Sequence, residues 1–174
     1  MESTEEGSHE KWKGKAIAEV KGVKAEKVWP LLEDFFGLSK WYPTPMCIPV
    51  EGISGIPGCV RFCGGFKTPV DDDAKKSMNW TKQKLLSIDP ARWTFTYCIV
   101  DSNVGFHSYL ATWTVRPTAE GCEVEWLYEV EPVQGWKLEY LESFVDKGLH
   151  AMAKNMEQGL KNMEEALKSH KGQT

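Results

Sequence analysis

The residue with the clearest potential for chemistry is Arg61, which lies in a short apolar run between glycine-rich segments. The alternation of this run predicts that the Arg61 side chain points inward. A buried guanidinium needs an anion or several acceptors to offset its lost hydration. Two alternatives follow. Arg61 could bind a carboxylate, sulfenate or enolate on a ligand, or it could form an ion pair with an inward Glu or Asp.

Two tyrosines and one histidine are the candidates for moving a proton. Residues 93–100 alternate large and small side chains, and we predict that Tyr97 faces inward. In residues 106–116 the polar positions mark the outer face, which leaves His107 and Tyr109 on the inner one. A buried tyrosine could orient a ligand oxygen or donate a proton, or it could simply pack. His107 is a candidate base because imidazole titrates near neutral pH, although a lone histidine also occurs at cavity mouths and in cores.

The same alternation predicts further residues on the inner face. Lys82 and Lys84 must face water, so Gln83 between them points inward. The large aromatic residues on inner positions of the later strands are Phe95, Trp113 and Trp126. We expect Gln83 and these three aromatic residues to contact a ligand together with Arg61.

The C-terminal segment changes its hydrophobic period from two to about three and a half. Its apolar residues recur at steps of three and four: Leu138, Leu141, Val145, Leu149, Met152, Met156, Leu160, Met163 and Leu167. This pattern predicts one long amphipathic helix that lies across the concave face of a sheet. Met152 and Met156 would then form an adaptable, ligand-contacting cavity floor, although core packing explains the same positions without a ligand.

The elements that must position these residues can be ordered along the chain. Residues 11–23 alternate small apolar and charged side chains and predict a first strand. Residues 25–36 have helical spacing, but Pro30 requires an N-terminal turn or a break, so we expect two short helices. Glycines and prolines then separate short apolar runs, as is typical of an antiparallel meander. The order predicts an α+β fold with a seven-stranded curved antiparallel sheet around the long helix.

The composition predicts one globular domain. Of 174 residues, 41% are hydrophobic and eight are tryptophan. We assign the domain to residues 11–168, with a disordered N-terminus at 1–10 and a flexible tail at 169–174.

The net charge of −4 argues against nucleic acid as a partner. The polar N-terminus lacks the features of a signal peptide, and no apolar run approaches the roughly 18 residues of a membrane span. We therefore expect a cytoplasmic protein, and its oligomeric state is left open.

The five cysteines do not form a recognisable framework. Cys47, Cys59, Cys63, Cys98 and Cys122 are odd in number and scattered, which predicts reduced thiols. Cys59 and Cys63 share one face of a predicted strand, where we expect core or cavity-wall residues. The sequence lacks a GxSxG elbow, a Walker A loop, a dinucleotide-binding fingerprint and an HExxH metal motif. We expect no metal and no cofactor.

The order of elements resembles the START-like superfamily, which has a helix-grip fold and includes the birch-pollen allergen, abscisic acid receptors and polyketide cyclase/dehydrase and lipid transport proteins. Three motifs are similar to the lachrymatory factor synthase family of plants: KWKGK at residues 11–15, VWPLLEDF at 28–35 and PGCVRF at 57–62. The resemblance covers about residues 11–168. It implies a cavity for a small hydrophobic molecule and a plant source.

The resemblance also implies four site residues. That family rearranges an alkenyl sulfenic acid without a cofactor and places an Arg, a Glu and two Tyr in its cavity. Arg61, Tyr97 and Tyr109 match the Arg and Tyr positions. The position of the family's Glu is Gln83, within WTKQK at residues 80–84. An amide cannot take up a proton near neutral pH, and general acid–base catalysis contributes about 10²- to 10⁴-fold, so this departure counts against the isomerase activity.

Hormone reception of the abscisic acid type is a further alternative. SGIP at residues 54–57 resembles the gate of that receptor, but it precedes the Arg61 strand, whereas the receptor's gate follows it. The position of the gate holds residues 64–70, and the receptor's latch falls on residues 104–106. Both motifs therefore count against this function.

The sequence as a whole predicts a binding protein. We expect a small hydrophobic metabolite with one oxygen or anionic handle, bound in an internal cavity with or without cofactor-free isomerisation, cyclisation or elimination. If a reaction occurs, Tyr97, Tyr109 or His107 would move the proton. The alternatives are sulfenic acid isomerisation and a protein-contact role of the receptor type.

Overall fold

The computed structural model describes residues 10–71 and 77–172. A first strand is followed by two short helices, six further strands and one long helix. The strands are β1 (Trp12–Lys21), β2 (Met46–Glu51), β3 (Val60–Gly64), β4 (Trp80–Asp89), β5 (Thr94–Ser102), β6 (Leu110–Thr118) and β7 (Gly121–Val130). The helices are α1 (Ala25–Glu33), a 3₁₀ helix (Phe35–Lys40) and α2 (Leu138–Gly172).

All seven strands form one antiparallel sheet in the order β1-β7-β6-β5-β4-β3-β2. The register between β4 and β5 shifts twice, between Lys82 and Gln83 and between Leu85 and Ser87. Such bulges bend and twist a strand, and they help to curve the sheet. The structure confirms the predicted α+β helix-grip fold, with its seven strands, long C-terminal helix and pair of short helices.

The two short helices cover one end of the concave face. Pro30 lies inside α1, where it lacks the N–H for a bond to the preceding turn, and the helix ends three residues later at Glu33. The 3₁₀ helix then buries Phe35 and Leu38. Ser54 accepts a hydrogen bond from the backbone N–H of Phe36 at 2.9 Å and so ties this helix to the following loop.

The long helix packs its apolar stripe on β1 and β7. The stripe is buried at Leu141, Val145, Leu149, Met152 and Met156. Three predicted members of the stripe are wrong, because Leu138, Met163 and Leu167 are exposed.

The predicted chain ends are only partly described. The helix was expected to end near residue 168 but continues to Gly172. The flexibility expected for residues 169–174 stays a prediction. Residues 1–9 of the expected N-terminal segment and the acidic residues 72 and 73 of the loop after β3 lie outside the described residues.

Candidate ligand-binding cavity

An apolar cavity lies between the curved sheet, the short helices and α2. Its walls are formed by Leu38, Tyr42, Thr44, Cys63, Phe66, Thr81, Gln83, Tyr97, Ile99, Phe106, Tyr109, Trp113, Trp126, Leu141, Phe144 and Val145. The cavity leaves about 40 Å³ for the centres of water molecules, which is room for a few waters at roughly 10–15 Å³ each. A ligand must therefore be small or must displace part of the wall.

Arg61 is buried beside this cavity without a negative partner. It is 1% exposed, and its Nη1 donates to the backbone oxygen of Phe35 at 2.7 Å. Its Cζ lies 3.6 Å from the centroid of the Phe35 ring. Among the described residues, no carboxylate forms an ion pair with Arg61, and its Nη2 has no hydrogen-bond partner. The predicted alternative of an ion pair with an inward Glu or Asp is therefore not observed there.

Glu125 is the other buried charged residue among the described residues, and it has a partner of opposite charge. The carboxylate of Glu125 accepts from Arg116 Nη2 at 2.7 Å. Burying a charge costs several kcal/mol unless a partner offsets it. Arg61 therefore stands apart as an interior cation held only by neutral acceptors.

Gln83 joins Arg61 to the cavity. The two residues are direct partners across the β3–β4 ladder, so their side chains lie together on one face. Gln83 Oε1 accepts from Arg61 Nε at 2.8 Å, and its Nε2 donates to Thr81 Oγ1 at 3.0 Å. Gln83 and Thr81 line the cavity, whereas Arg61 lies behind them. The structure thus brings the two predicted ligand-binding residues together, but it places Arg61 one layer deeper than expected.

The hydroxyls of Tyr97 and Tyr109 form a pair in the cavity wall. Their oxygens are 3.0 Å apart, and Trp126 Nε1 donates to the Tyr109 oxygen at 3.2 Å. The pair contains two hydroxyl hydrogens and uses only one of them internally. The other hydrogen can be donated to a ligand oxygen.

Trp113 offers a second unused donor. Its side chain is 1% exposed and lines the cavity, and its indole Nε1 has no partner within the described chain. It stacks at an angle on Trp126, with 5.0 Å between ring centroids, because the two residues are paired across the β6–β7 ladder. Trp113 and Trp126 are therefore both cavity residues, as the strand pattern predicts.

Tyr42 is a cavity residue that sequence reasoning missed. It follows the 3₁₀ helix, and its hydroxyl lies so close to Gly148 of α2 that an added Cβ there would clash with it. Although Tyr42 as a residue is only half-buried, its hydroxyl faces the interior, and burial raises its pKa. The glycine inside an amphipathic helix was the available signal, since it indicates a close approach by a neighbouring group.

Burial also keeps the paired tyrosines protonated. It raises the pKa of Tyr97, against a smaller lowering by the charge of Arg61, and it raises that of Tyr109 well above its usual range. Neutral phenols donate hydrogen bonds, so both residues act as donors. The described cavity lining contains no carboxylate and no imidazole. The wall therefore combines apolar and aromatic surface with hydrogen-bond donors and a cation behind them.

The predicted inward position of His107 is wrong. His107 and Ser108 are exposed, whereas Phe106 and Tyr109 are buried. The strand β6 begins only at Leu110, and Ser108 has a φ of 55°, so residues 106–109 form a turn without the alternation of a strand. Phe106 lines the cavity in place of the histidine.

Three other predicted residues are buried away from the cavity. Phe95 packs between Trp29 and Trp113, with ring centroids 6.2 and 5.5 Å away. Met152 and Met156 are fully buried in the core, but the residues of α2 that line the cavity are Leu141, Phe144 and Val145, nearer its N-terminal end. The predicted methionine floor is therefore wrong, and core packing accounts for both methionines.

Two features are absent from the described residues. No group of three or more His, Cys, Asp or Glu side chains in residues 10–71 and 77–172 could hold a metal ion. Across the same ranges, no helix has both the length and the apolar character needed to cross a membrane.

A family model and several solved structures match most of the chain. A family model described as polyketide cyclase / dehydrase and lipid transport matches residues 11–168. Major latex-like protein 151 of Panax ginseng matches with a TM-score of 0.65 at 15% identity, over 85% of this chain and 97% of that protein. Protein XoxI of Bacillus cereus matches with a TM-score of 0.64 at 21% identity, over 88% and 97%. These structures share the helix-grip fold of the birch-pollen allergen.

The buried tyrosines predict how stability falls at high pH. An unfolded tyrosine ionises near pH 10, whereas folded Tyr97 stays neutral, so its contribution to stability is present below pH 10 and is lost as pH rises toward its raised pKa. Tyr97→Phe should reduce the loss of unfolding free energy above pH 10 by about 1.4 kcal/mol per pH unit. Urea unfolding between pH 9 and 12 measures the slope.

The exposed Tyr140 supplies the matched control. Tyr140→Phe should leave the slope unchanged. Equal slopes for the wild type and Tyr97→Phe would contradict the buried, neutral state of Tyr97.

Proposed function

The chain belongs to the polyketide cyclase/dehydrase and lipid transport family, and from that premise we propose that it binds a small hydrophobic molecule carrying one anionic or strongly polar oxygen group. We take residues 11–168 as the ligand-binding domain. Family membership implies hydrophobic ligand binding, and the nature of the handle rests on Arg61.

The uncompensated charge of Arg61 is the observation that carries the proposal. Its guanidinium is 1% exposed, it hydrogen-bonds only to neutral oxygens, and its Nη2 has no partner among the described residues. A buried charge of this kind is stabilised most by an anion. A ligand anion could displace the Gln83 amide toward the cavity or bind against that amide. In either position it would supply the negative charge that Arg61 lacks.

The unused hydrogen-bond donors of the cavity wall also favour a ligand with an anionic or strongly polar oxygen group. The spare hydroxyl hydrogen of the Tyr97–Tyr109 pair and the unpartnered indole N–H of Trp113 both lie in the cavity wall. Donors without acceptors match a carboxylate, a sulfur oxyanion or an enolate. The aromatic walls favour an apolar body on the same molecule.

A surface groove offers an entrance to the cavity. The groove has a volume of about 420 Å³ and shares Tyr42, Phe66 and Phe144 with the cavity wall. Phe66 and Phe144 line both spaces, and their ring centroids are 6.0 Å apart. Lys67 and Lys147 line the groove, and their positive charges would draw an anion toward it. Movement of the phenylalanine rings would join the groove to the cavity.

Retention of metabolites tests the proposal. The purified protein is incubated with a metabolite extract, separated from free compounds and analysed by mass spectrometry. We expect an apolar anion to be retained by the wild type and to be retained at least about tenfold less by Arg61→Ala and Gln83→Glu, because each change removes the unpaired charge.

The exposed Gln134 provides a matched control for the amide-to-acid change. Gln134→Glu should retain the same compound as the wild type. Retention of only neutral compounds, or equal retention by Gln83→Glu, would count against an anionic handle.

Sulfenic acid isomerisation of the lachrymatory factor synthase type is a second candidate. The observation that favours it is the clustering of all four residues implied by the resemblance: Arg61, Gln83, Tyr97 and Tyr109. The weak point is Gln83, whose amide cannot transfer a proton.

Restoring the acid tests this second candidate. With freshly generated alkenyl sulfenic acid as substrate, Gln83→Glu should form thial S-oxide about 10²- to 10⁴-fold faster than the wild type. Tyr97→Phe in the same background should reduce that rate. Product at the uncatalysed rate from Gln83→Glu would dismiss the candidate.

A further inference from the structure

Two thiols lie opposite each other at the edge of the sheet. Cys47 on β2 and Cys63 on β3 are direct partners across the antiparallel ladder. Directly opposed residues project from the same face, with Cα atoms about 4.5–5.5 Å apart. A disulfide requires Cα atoms about 4.4–6.8 Å apart. The backbone therefore already meets the spacing that a Cys47–Cys63 disulfide needs.

The two cysteines differ in their access to solvent. The sheet ends at β2, and Cys47 on this edge strand is half-buried. Cys63 is 2% exposed and lines the cavity. A dissolved reagent can reach Cys47 first, and Cys63 is positioned behind it.

Their surroundings shift the pKa values of the two thiols in opposite directions. The Cys63 thiol opposite Cys47 lowers the pKa of Cys47, and the charge of Arg61 lowers it further, whereas burial acts in the opposite direction. The neighbouring Cys47 thiol and burial raise the pKa of Cys63 well above its usual range. The thiolate, which is the nucleophile in cysteine chemistry, therefore resides on the more accessible partner.

We propose that Cys47 and Cys63 form a hydroperoxide-reactive dithiol that closes to a disulfide between β2 and the cavity wall. The Cys47 thiolate attacks the distal oxygen of ROOH, the O–O bond breaks, and the departing alkoxide takes a proton to give ROH. Cys47 is then a sulfenic acid. The Cys63 sulfur attacks the sulfur of Cys47 and expels water. Two thiols and one hydroperoxide thus give one disulfide, ROH and water, and two electrons pass to the peroxide.

The geometry links this reaction to the interior charge. Arg61 and Cys63 are two residues apart on β3 and are both buried on its inner face. Disulfide formation converts the Cys47 thiolate into a neutral sulfur and fixes the edge strand to the wall that Cys63 forms. The reaction itself requires no ligand in the cavity, so it stands independently of the proposed function.

Treatment of the full, reduced chain with hydrogen peroxide tests the dithiol. After reductant is removed and one equivalent of peroxide is added, free thiols are blocked with N-ethylmaleimide and the protein is mapped by mass spectrometry. We expect a loss of two hydrogens per chain, located in a Cys47–Cys63 crosslink. Cys47 should react about tenfold faster than the half-buried Cys98, because burial raises the pKa of Cys98.

Variants separate the two roles. Cys63→Ser should stop the reaction at a sulfenic acid on Cys47 that dimedone traps, and Cys47→Ser should leave Cys63 reduced. Cys98→Ser is the matched control and should form the crosslink at the wild-type rate. The wild-type map decides the proposal even if a variant fails to fold. No crosslink within one chain, or oxidation of Cys98 as fast as that of Cys47, would overturn it.

Discussion

Arg61 holds a guanidinium in the interior, where only the Phe35 carbonyl and the Gln83 amide accept its hydrogen bonds within the described chain. The 3₁₀ helix and the register between β3 and β4 bring these two acceptors to the guanidinium. The 3₁₀ helix brings the Phe35 carbonyl and ring over the guanidinium, and the β3–β4 register places Gln83 directly opposite. An arginine cannot give up its proton to escape burial, so its charge persists in a site of low polarity.

The same interior explains the behaviour of the neighbouring groups. Burial raises the pKa values of Tyr42, Tyr97 and Tyr109, so the cavity presents phenols and not phenolates. The neighbouring Cys63 thiol and the interior cation lower the pKa of Cys47 at the edge of the sheet. One charge is thus common to the proposed anionic ligand and to the proposed reactive thiol. The aromatic rings around it exclude water and preserve the strength of both effects.

Periodicity was sufficient for β1, the later strands and the long helix, whereas β2 and β3 were indicated only by the glycines and prolines that separate short apolar runs. The alternation of lysines around Gln83 and of large residues around Tyr97 gave the correct inward faces, and the three-and-four spacing located the long helix. It failed where the chain leaves regular structure. The turn at Ser108 reverses the phase expected for His107, and the position of α2 along β1 decides that Leu141 and Val145, not Met152, reach the cavity. The Cys47–Cys63 pair depends on the β2–β3 register, which no local pattern specifies.

The unfolding free energy of Gln83→Glu, compared with the wild type in urea at pH 7, tests the central claim most directly. The change puts a carboxylate where an amide oxygen now lies 2.8 Å from Arg61 Nε, and the Thr81 hydroxyl can rotate to donate to it. If the charge of Arg61 is uncompensated, the ligand-free variant should be more stable by about 3 kcal/mol, the amount that an unpaired member of a buried ion pair loses. An unchanged or reduced stability, with Gln134→Glu near the wild type, would show that the protein already neutralises Arg61 and would contradict the account.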